Sequence, residues 1–234
     1  MAAKRNWLEA LHNLFGRYTG LLVMLLAVTM LSPFTAYYPT ADRVLDVAVL
    51  LMIISAVGAV WRHRFLSVIA LIIGLASFVG LLIQIVGHIE YGRSISFALR
   101  FAFTILVTVS IFGDVLRSKR VTMDTVFGAC SVYLLMAVSW ANVYLLMETV
   151  SPESFQLALS SGEDVVNNVG AAGSQLYYFS LITLTTVGYG DILPLTAPAR
   201  SLAALEGVVG QLYIAVIIAR LVALEVSARM SGQP

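Results

Sequence analysis

Residues 185–191 read Thr-Thr-Val-Gly-Tyr-Gly-Asp, and the chemistry this run offers lies in its backbone. A cation stripped of water needs oxygens in its place, and stacked rings of carbonyls from symmetry-related segments supply them. Thr186, Val187, Gly188, Tyr189 and Gly190 are the residues whose carbonyls or hydroxyl would form such rings. Gly188 and Gly190 lack a Cβ and can take the backbone angles that turn consecutive carbonyls toward one axis. Thr186 adds a hydroxyl at the inner end, while Val187 and Tyr189 are expected to point away and pack behind. One segment supplies a quarter of each ring and the chain has no second copy, so the reading requires four chains.

The elements that would hold this run are membrane helices. Hydrophobic residues make up 59% of the chain and charged residues 12%, and the mean hydropathy is +0.90. A soluble domain of this size needs more charge to cover its surface. Stretches of about 20 apolar residues, enough to cross a hydrocarbon core, recur along the whole length. They fall at 18–38, 44–61, 65–87, 94–116, 123–147 and 198–226, which predicts six spanning helices. The fold class expected is therefore an all-α membrane protein, with a short helix and the 185–191 loop re-entering between helices 5 and 6. Residues 1–17 read as a cytoplasmic segment whose Trp7, Leu8, Leu11, Leu14 and Phe15 lie along the interface. Without a cleavage-site pattern, a removed signal peptide is not expected. Residues 18–120 read as a peripheral four-helix unit and 121–234 as a pore unit. The eight residues after Val226 leave no room for a cytoplasmic sensing domain in this reading.

Basic residues are retained on the cytoplasmic side, so their distribution orients the spans. Lys4, Arg5, Arg17, Arg62, Arg64, Arg117, Lys119, Arg120, Arg220 and Arg229 lie on one side of the six-span arrangement, and only Arg43, Arg93, Arg100 and Arg200 on the other. Both termini are then cytoplasmic and Asp191 faces outward. The long loop at 148–173 carries Glu148, Glu153, Glu163 and Asp164. Repeated four times, these acids would concentrate cations at the mouth, or they belong to a polar, solvated loop whose charges are screened within about 8 Å.

With its flanks, the heptapeptide resembles the tetrameric potassium channel superfamily, in particular bacterial channels with six spans and one pore loop. The resemblance covers about 123–226. Residues 174–185, with Tyr177, Tyr178 and Phe179, resemble the pore helix, and 123–147 and 198–226 resemble the outer and inner helices. The first four spans resemble the family only in number and polarity. The resemblance implies K+ bound by Thr186, Val187, Gly188 and Tyr189, with Thr185 and Asp191 supporting the filter. It also implies a partially negative pore-helix end aimed at the ion cavity, three identical partner chains, and a place in the cytoplasmic membrane. Some members carry a glutamate behind the filter where this chain has Ile182, so that support is not expected here.

By the same resemblance Gly210, twenty residues after Gly190, marks a gating hinge; a glycine in a membrane helix is equally a close-packing site, which also fits Gly207. Gln211, Ile214, Ile218 and Val222 recur at helical spacing, and by the family's register they would face the water-filled cavity below the filter. Gln211 is the informative one, because an amide in an apolar span is costly against lipid. Glu206, one turn earlier, reads either as a carboxylate coupled to the filter or pore helix, or as a salt-bridged or a protonated, hydrogen-bonded buried acid.

The fourth span lacks a basic residue at every third position, the pattern a steep voltage sensor needs. It holds Arg100 alone, with Arg93 and Arg117 at its edges, which suits a snorkelling anchor or a partner of Glu90. Asp46 and Asp114 could be relics of a sensor-like charge cluster, but nothing else in the sequence argues for it. Cys130, alone, excludes an intrachain disulfide and reads as packing. His12, His63 and His88 are separated and lack metal-ligand spacing. No phosphate loop or nucleophile elbow occurs, so the chain does not read as an enzyme. No cofactor, resident metal or nucleic-acid partner is expected. Beside a passive, K+-selective, weakly voltage-dependent channel, the alternatives are a weakly selective cation pore, the pore-loop subunit of a cation transporter, and a non-conducting subunit.

Overall fold

A computed structural model describes residues 16–36, 52, 54–56, 58, 68–69, 72–76, 90–157 and 169–230. In chain order these hold α1 (Thr19–Leu31), a 3-10 turn (Ser32–Ala36), α2 (Glu90–Arg117), α3 (Met123–Val150), β1 (Phe155–Gln156), α4 (Val169–Leu184), β2 (Leu193–Pro194) and α5 (Ala197–Met230). Among the described residues three helices are long and apolar enough to cross a membrane: Ser94–Arg117, Met123–Val150 and Ala197–Ser227. The shorter Thr19–Phe34 is also apolar. The expected spans at 44–61 and 65–87 fall largely outside the described residues. So do the interfacial stretch of Trp7 to Phe15, the three histidines, Arg43, Asp46, Glu163 and Asp164.

In α2 and α3 several hydroxyls are satisfied within their own helix, as suits an apolar environment. In α2 the hydroxyls of Thr104, Thr108 and Ser110 donate to the carbonyls of Arg100, Thr104 and Leu106 at 3.0, 2.6 and 2.7 Å. In α3 Ser131 and Ser139 do the same toward Phe127 and Leu135. Thr122 caps α3, its hydroxyl accepting from the Thr125 amide at 3.2 Å, a role that satisfies one of the orphan donors of a helix start.

Two buried clusters join these helices. The larger runs from Leu21 and Leu25 of α1 through Val107 and Ile111 of α2 to Val132 and Leu135 of α3, and reaches Leu184 and Ile217. The smaller gathers Phe97, Tyr144, Phe155, Leu176 and Phe179. Within it Tyr144, Phe155 and Phe179 meet with ring centroids 5.0, 5.5 and 5.4 Å apart, the edge and tilted geometries that ring quadrupoles favour. Phe155 reaches this position because β1 pairs antiparallel with β2, Phe155 opposite Pro194 and Gln156 opposite Leu193. The segment after α3 is thereby stitched to the segment leaving the 185–191 loop.

At the opposite end, Asp124 accepts from the Tyr18 amide at 2.9 Å, and Asp114 accepts from the Tyr18 hydroxyl at 3.1 Å and pairs with Arg17 at 3.2 Å. These bonds hold the start of α1 to α2 and α3, so Asp114 has a local structural role. Arg220 of α5 donates to the Ser118 carbonyl in the α2–α3 link at 2.9 Å. Helix α5 is otherwise sparsely covered, with 17% of its apolar window buried against 56% for α3.

Candidate functional site

Helix α4 ends at Leu184, and the loop that follows is tied back onto it. The amide of Thr185 donates to the Leu181 carbonyl at 3.0 Å, that of Thr186 to Thr183 at 3.0 Å, and those of Val187 and Gly188 both to Ile182 at 2.9 and 3.1 Å. The last carbonyls of a helix have no partner within it, so the loop is anchored by groups α4 leaves free. Ile182 is itself buried. Tyr133 of α3 donates to the Leu184 carbonyl at 2.9 Å, fixing the end of α4 from behind. The helix begins at Val169, five residues before the expected start.

Beyond the anchor the backbone alternates in hand. Thr186, Gly188 and Gly190 have φ of 59°, 53° and 78°, while Val187 and Tyr189 between them do not share this positive sign. In an ordinary strand successive carbonyls point to opposite sides. A positive φ at every second residue departs from that pattern. Two of the left-handed positions are glycine, where the conformation is free; the third is a β-branched threonine, for which it costs about 1–2 kcal/mol. Among the described residues no hydrogen bond is received by the carbonyls of Thr186, Val187, Gly188 or Tyr189. Within one chain Val187 and Tyr189 are 51% and 73% exposed, so the packing expected behind this strand would have to come from another chain.

The end of the loop away from α4 is fixed by Asp191. Its Oδ2 accepts from the Tyr178 hydroxyl of α4 at 2.8 Å and its Oδ1 from the Ile192 amide at 3.1 Å. Ile192 is buried, and β2 follows directly. Glu148 differs from the acid expected at an open mouth. It is buried, and its carboxylate accepts the amides of Glu153 and Phe155 at 2.7 and 3.1 Å, so its charge is used to order the turn after α3. Glu153 takes φ of 63° in that turn.

Glu206 of α5 is fully buried. Its Oε2 receives the Tyr144 hydroxyl at 2.5 Å, and its Oε1 meets the Ser180 hydroxyl of α4, which in turn donates to the Ala137 carbonyl of α3 at 2.9 Å. The two readings left open by the sequence meet here: the carboxyl is buried and hydrogen-bonded, and through Ser180 it is coupled to α4. A carboxyl therefore does support α4, delivered from α5 rather than from position 182. Sequence spacing could not reveal this, because Glu206 lies 26 residues from Ser180 and 62 from Tyr144.

Gly210 sits against the end of α4. A Cβ there would lie 2.5 Å from the Leu184 carbonyl oxygen and 3.0 Å from its side chain, whereas one at Gly207 would have 3.8 Å to the Thr183 carbonyl. Close packing is thus required at Gly210, and α5 runs through it unbroken. Gln211, Ile214, Ile218 and Val222 are all exposed in the single chain, as is Leu212. Tyr213 turns inward, its hydroxyl donating to the Ala129 carbonyl of α3 at 2.6 Å. Cys130 is exposed. Arg100 lies with its guanidinium 5.7 Å from the centroid of the buried Phe97 ring. Among the described residues no group of His, Cys, Asp and Glu is arranged to hold a metal ion.

Helix α4, the 185–191 loop and the flanking apolar helices α3 and α5 lie in one continuous part of the chain, and comparison with known proteins covers the same part. Residues 129–226, from α3 through α5, match the family described as Ion channel. The resemblance of this part of the chain to the potassium channel superfamily is thereby shown. The chain is similar to the voltage-gated potassium channel Kch of Escherichia coli (strain K12), 24% identical over 149 residues that make up 64% of this chain and 30% of that protein. It is similar to the inward rectifier potassium channel Kirbac3.1 of Paramagnetospirillum magnetotacticum, 33% identical over 87 residues, 35% of this chain and 29% of that one. Protein LctB of Geobacillus stearothermophilus is 27% identical over 136 residues, 52% of this chain and 94% of that one. The chain thus spans less than a third of the first two relatives. No solved structure matches it.

Proposed function

We propose that this chain is one subunit of a homotetrameric, potassium-selective channel that conducts K+ passively across the cytoplasmic membrane. The observation that carries the reading is the left-handed backbone at Thr186, Gly188 and Gly190, in a loop whose amides are tied to α4 and whose carbonyls accept no protein hydrogen bond among the described residues. Four such loops about one axis would supply the oxygen rings a dehydrated K+ needs, with Thr186, Val187, Gly188, Tyr189 and Gly190 as the filter, and Thr185 and Asp191 as its supports. The sparsely covered α5 and the exposed Val187 and Tyr189 fit burial by neighbouring copies and lipid. Gln211, Ile214, Ile218 and Val222 would line the cavity, Gly210 would mark the point about which α5 changes packing, and both termini would be cytoplasmic.

Reconstitution of the purified protein alone in liposomes tests this reading. A K+ flux with a reversal potential near that of K+ under opposed K+ and Na+ gradients is expected. A reversal potential near zero would make it a weakly selective cation pore. Silence would point to a subunit that needs other pore chains.

A further inference from the structure

Glu206 is buried entirely within its own chain, so assembly would not change what its carboxyl meets. An ionised carboxylate in such a place needs a counter-charge or a full set of donors. Among the described residues no Lys, Arg or His pairs with it. Helix α4 presents Ser180 to it, and α3 presents Tyr144.

Proton counting then decides the form of the acid. The cluster contains three hydrogen bonds: Tyr144 to Oε2, Ser180 with Oε1, and Ser180 to the Ala137 carbonyl. A carbonyl has no proton to give, so Ser180 commits its single hydroxyl proton to Ala137. Tyr144 commits its own to Oε2. The contact between Ser180 and Oε1 is left needing a proton, and the carboxyl is the remaining source. With Glu206 ionised, three contacts share two protons; with Glu206 neutral, each has one.

We propose that Glu206 is a neutral carboxylic acid that donates to Ser180 and so clamps α4 between α3 and α5. Ser180 lies two residues before Ile182, whose carbonyl receives the amides of Val187 and Gly188. The clamp makes Glu206 a positioning residue for the 185–191 loop, and this part of the inference rests on the channel reading.

Infrared difference spectra of the full-length protein against E206Q at neutral pH test the protonation directly. The carbonyl stretch of a hydrogen-bonded, protonated carboxyl is expected in the wild type and lost in the variant; a difference confined to carboxylate stretches would overturn the proposal. The side-chain amide introduced by E206Q offers a donor to Ser180 and an acceptor to Tyr144, as a neutral acid does. E206Q is therefore expected to keep the wild-type melting temperature and K+ flux, while E206A and S180A lower both. A loss in E206Q equal to that in E206A would overturn the clamp. If wild-type vesicles pass no ions, the channel reading fails, and the melting temperatures of E206Q and E206A still decide whether the clamp exists.

Discussion

The Tyr178 hydroxyl donates to the Asp191 carboxylate at 2.8 Å, joining the third turn of α4 to the far end of the loop that the same helix anchors at its near end. The loop is thus held twice by one helix, by backbone at Ile182 and by side chain at Asp191. If four such loops form the proposed filter, removing this tether should loosen it without unfolding the chain. Tyr178→Phe is expected to lower the K+ over Na+ permeability ratio with little change in melting temperature, read from reversal potentials in liposomes. An unchanged ratio would show that the tether does not shape the filter.

Gly188 offers a cleaner test of backbone conformation. Nothing lies within 4 Å of where its Cβ would be, so Gly188→Ala introduces no clash within the chain and acts through its φ of 53°. The penalty is about 1–2 kcal/mol in each subunit. Conduction or selectivity should be lost while helix content is retained by circular dichroism. Wild-type flux in this variant would refute the alternating backbone as the source of ion coordination.

Thr186 shows where sequence reading stopped. The glycines at 188 and 190 announce positive φ, but a β-branched residue argues against it, and it accompanies the bonds that the amides of Thr186, Val187 and Gly188 donate to the carbonyls of Thr183 and Ile182. The apolar stretches at 94–116, 123–147 and 198–226 were legible because hydrocarbon thickness sets their length, and three long apolar helices occupy them. The pairing of Phe155 with Pro194 and the enclosure of Glu148 and Glu206 were not legible. Each depends on residues brought together by the fold rather than by a repeating pattern, and a two-residue strand leaves no periodic trace. Glu148 in particular reads as a surface acid until the turn that wraps its carboxylate is seen.

At Gly210 the distance to the end of α4 makes the packing reading testable. A methyl group 2.5 Å from the Leu184 oxygen must push α5 from the end of α4, and overpacking of this kind costs about 1–3 kcal/mol. Gly210→Ala should lower the melting temperature of the assembled protein, and Gly207→Ala, with 3.8 Å available, should not. Equal stability of both variants, with altered opening only in the first, would favour a hinge over a packing contact.

The register of α5 predicts a blocker site. If Gln211, Ile214 and Ile218 face a water-filled cavity, bulky quaternary ammonium ions applied from inside should block, and Ala substitutions at Ile214 and Ile218 should change the block more than Leu212→Ala. All three aliphatic side chains are exposed in the single chain, so the contrast tests assembly geometry and not burial. Equal effects at Leu212 would refute this register.

Voltage dependence should be shallow. Moving one charge through the whole field yields about 2.3 kcal/mol per 100 mV, and steep gating needs three or four such charges in every subunit. Within the described residues α2 offers one basic side chain in its interior, Arg100, since Arg93 lies near its start and Arg117 is its last residue. The Arg100 guanidinium rests 5.7 Å from the centroid of Phe97, a ring fully buried in the aromatic cluster that also holds Tyr144 and Phe179. A cation held over a buried ring is stabilised by about 0.5–2 kcal/mol, which opposes its travel as well as anchoring α2. Arg100→Gln is therefore expected to reduce expression or thermal stability while leaving the conductance–voltage curve nearly unchanged in symmetrical K+. A steep sigmoid in the wild type that flattens in this variant would establish Arg100 as a gating charge.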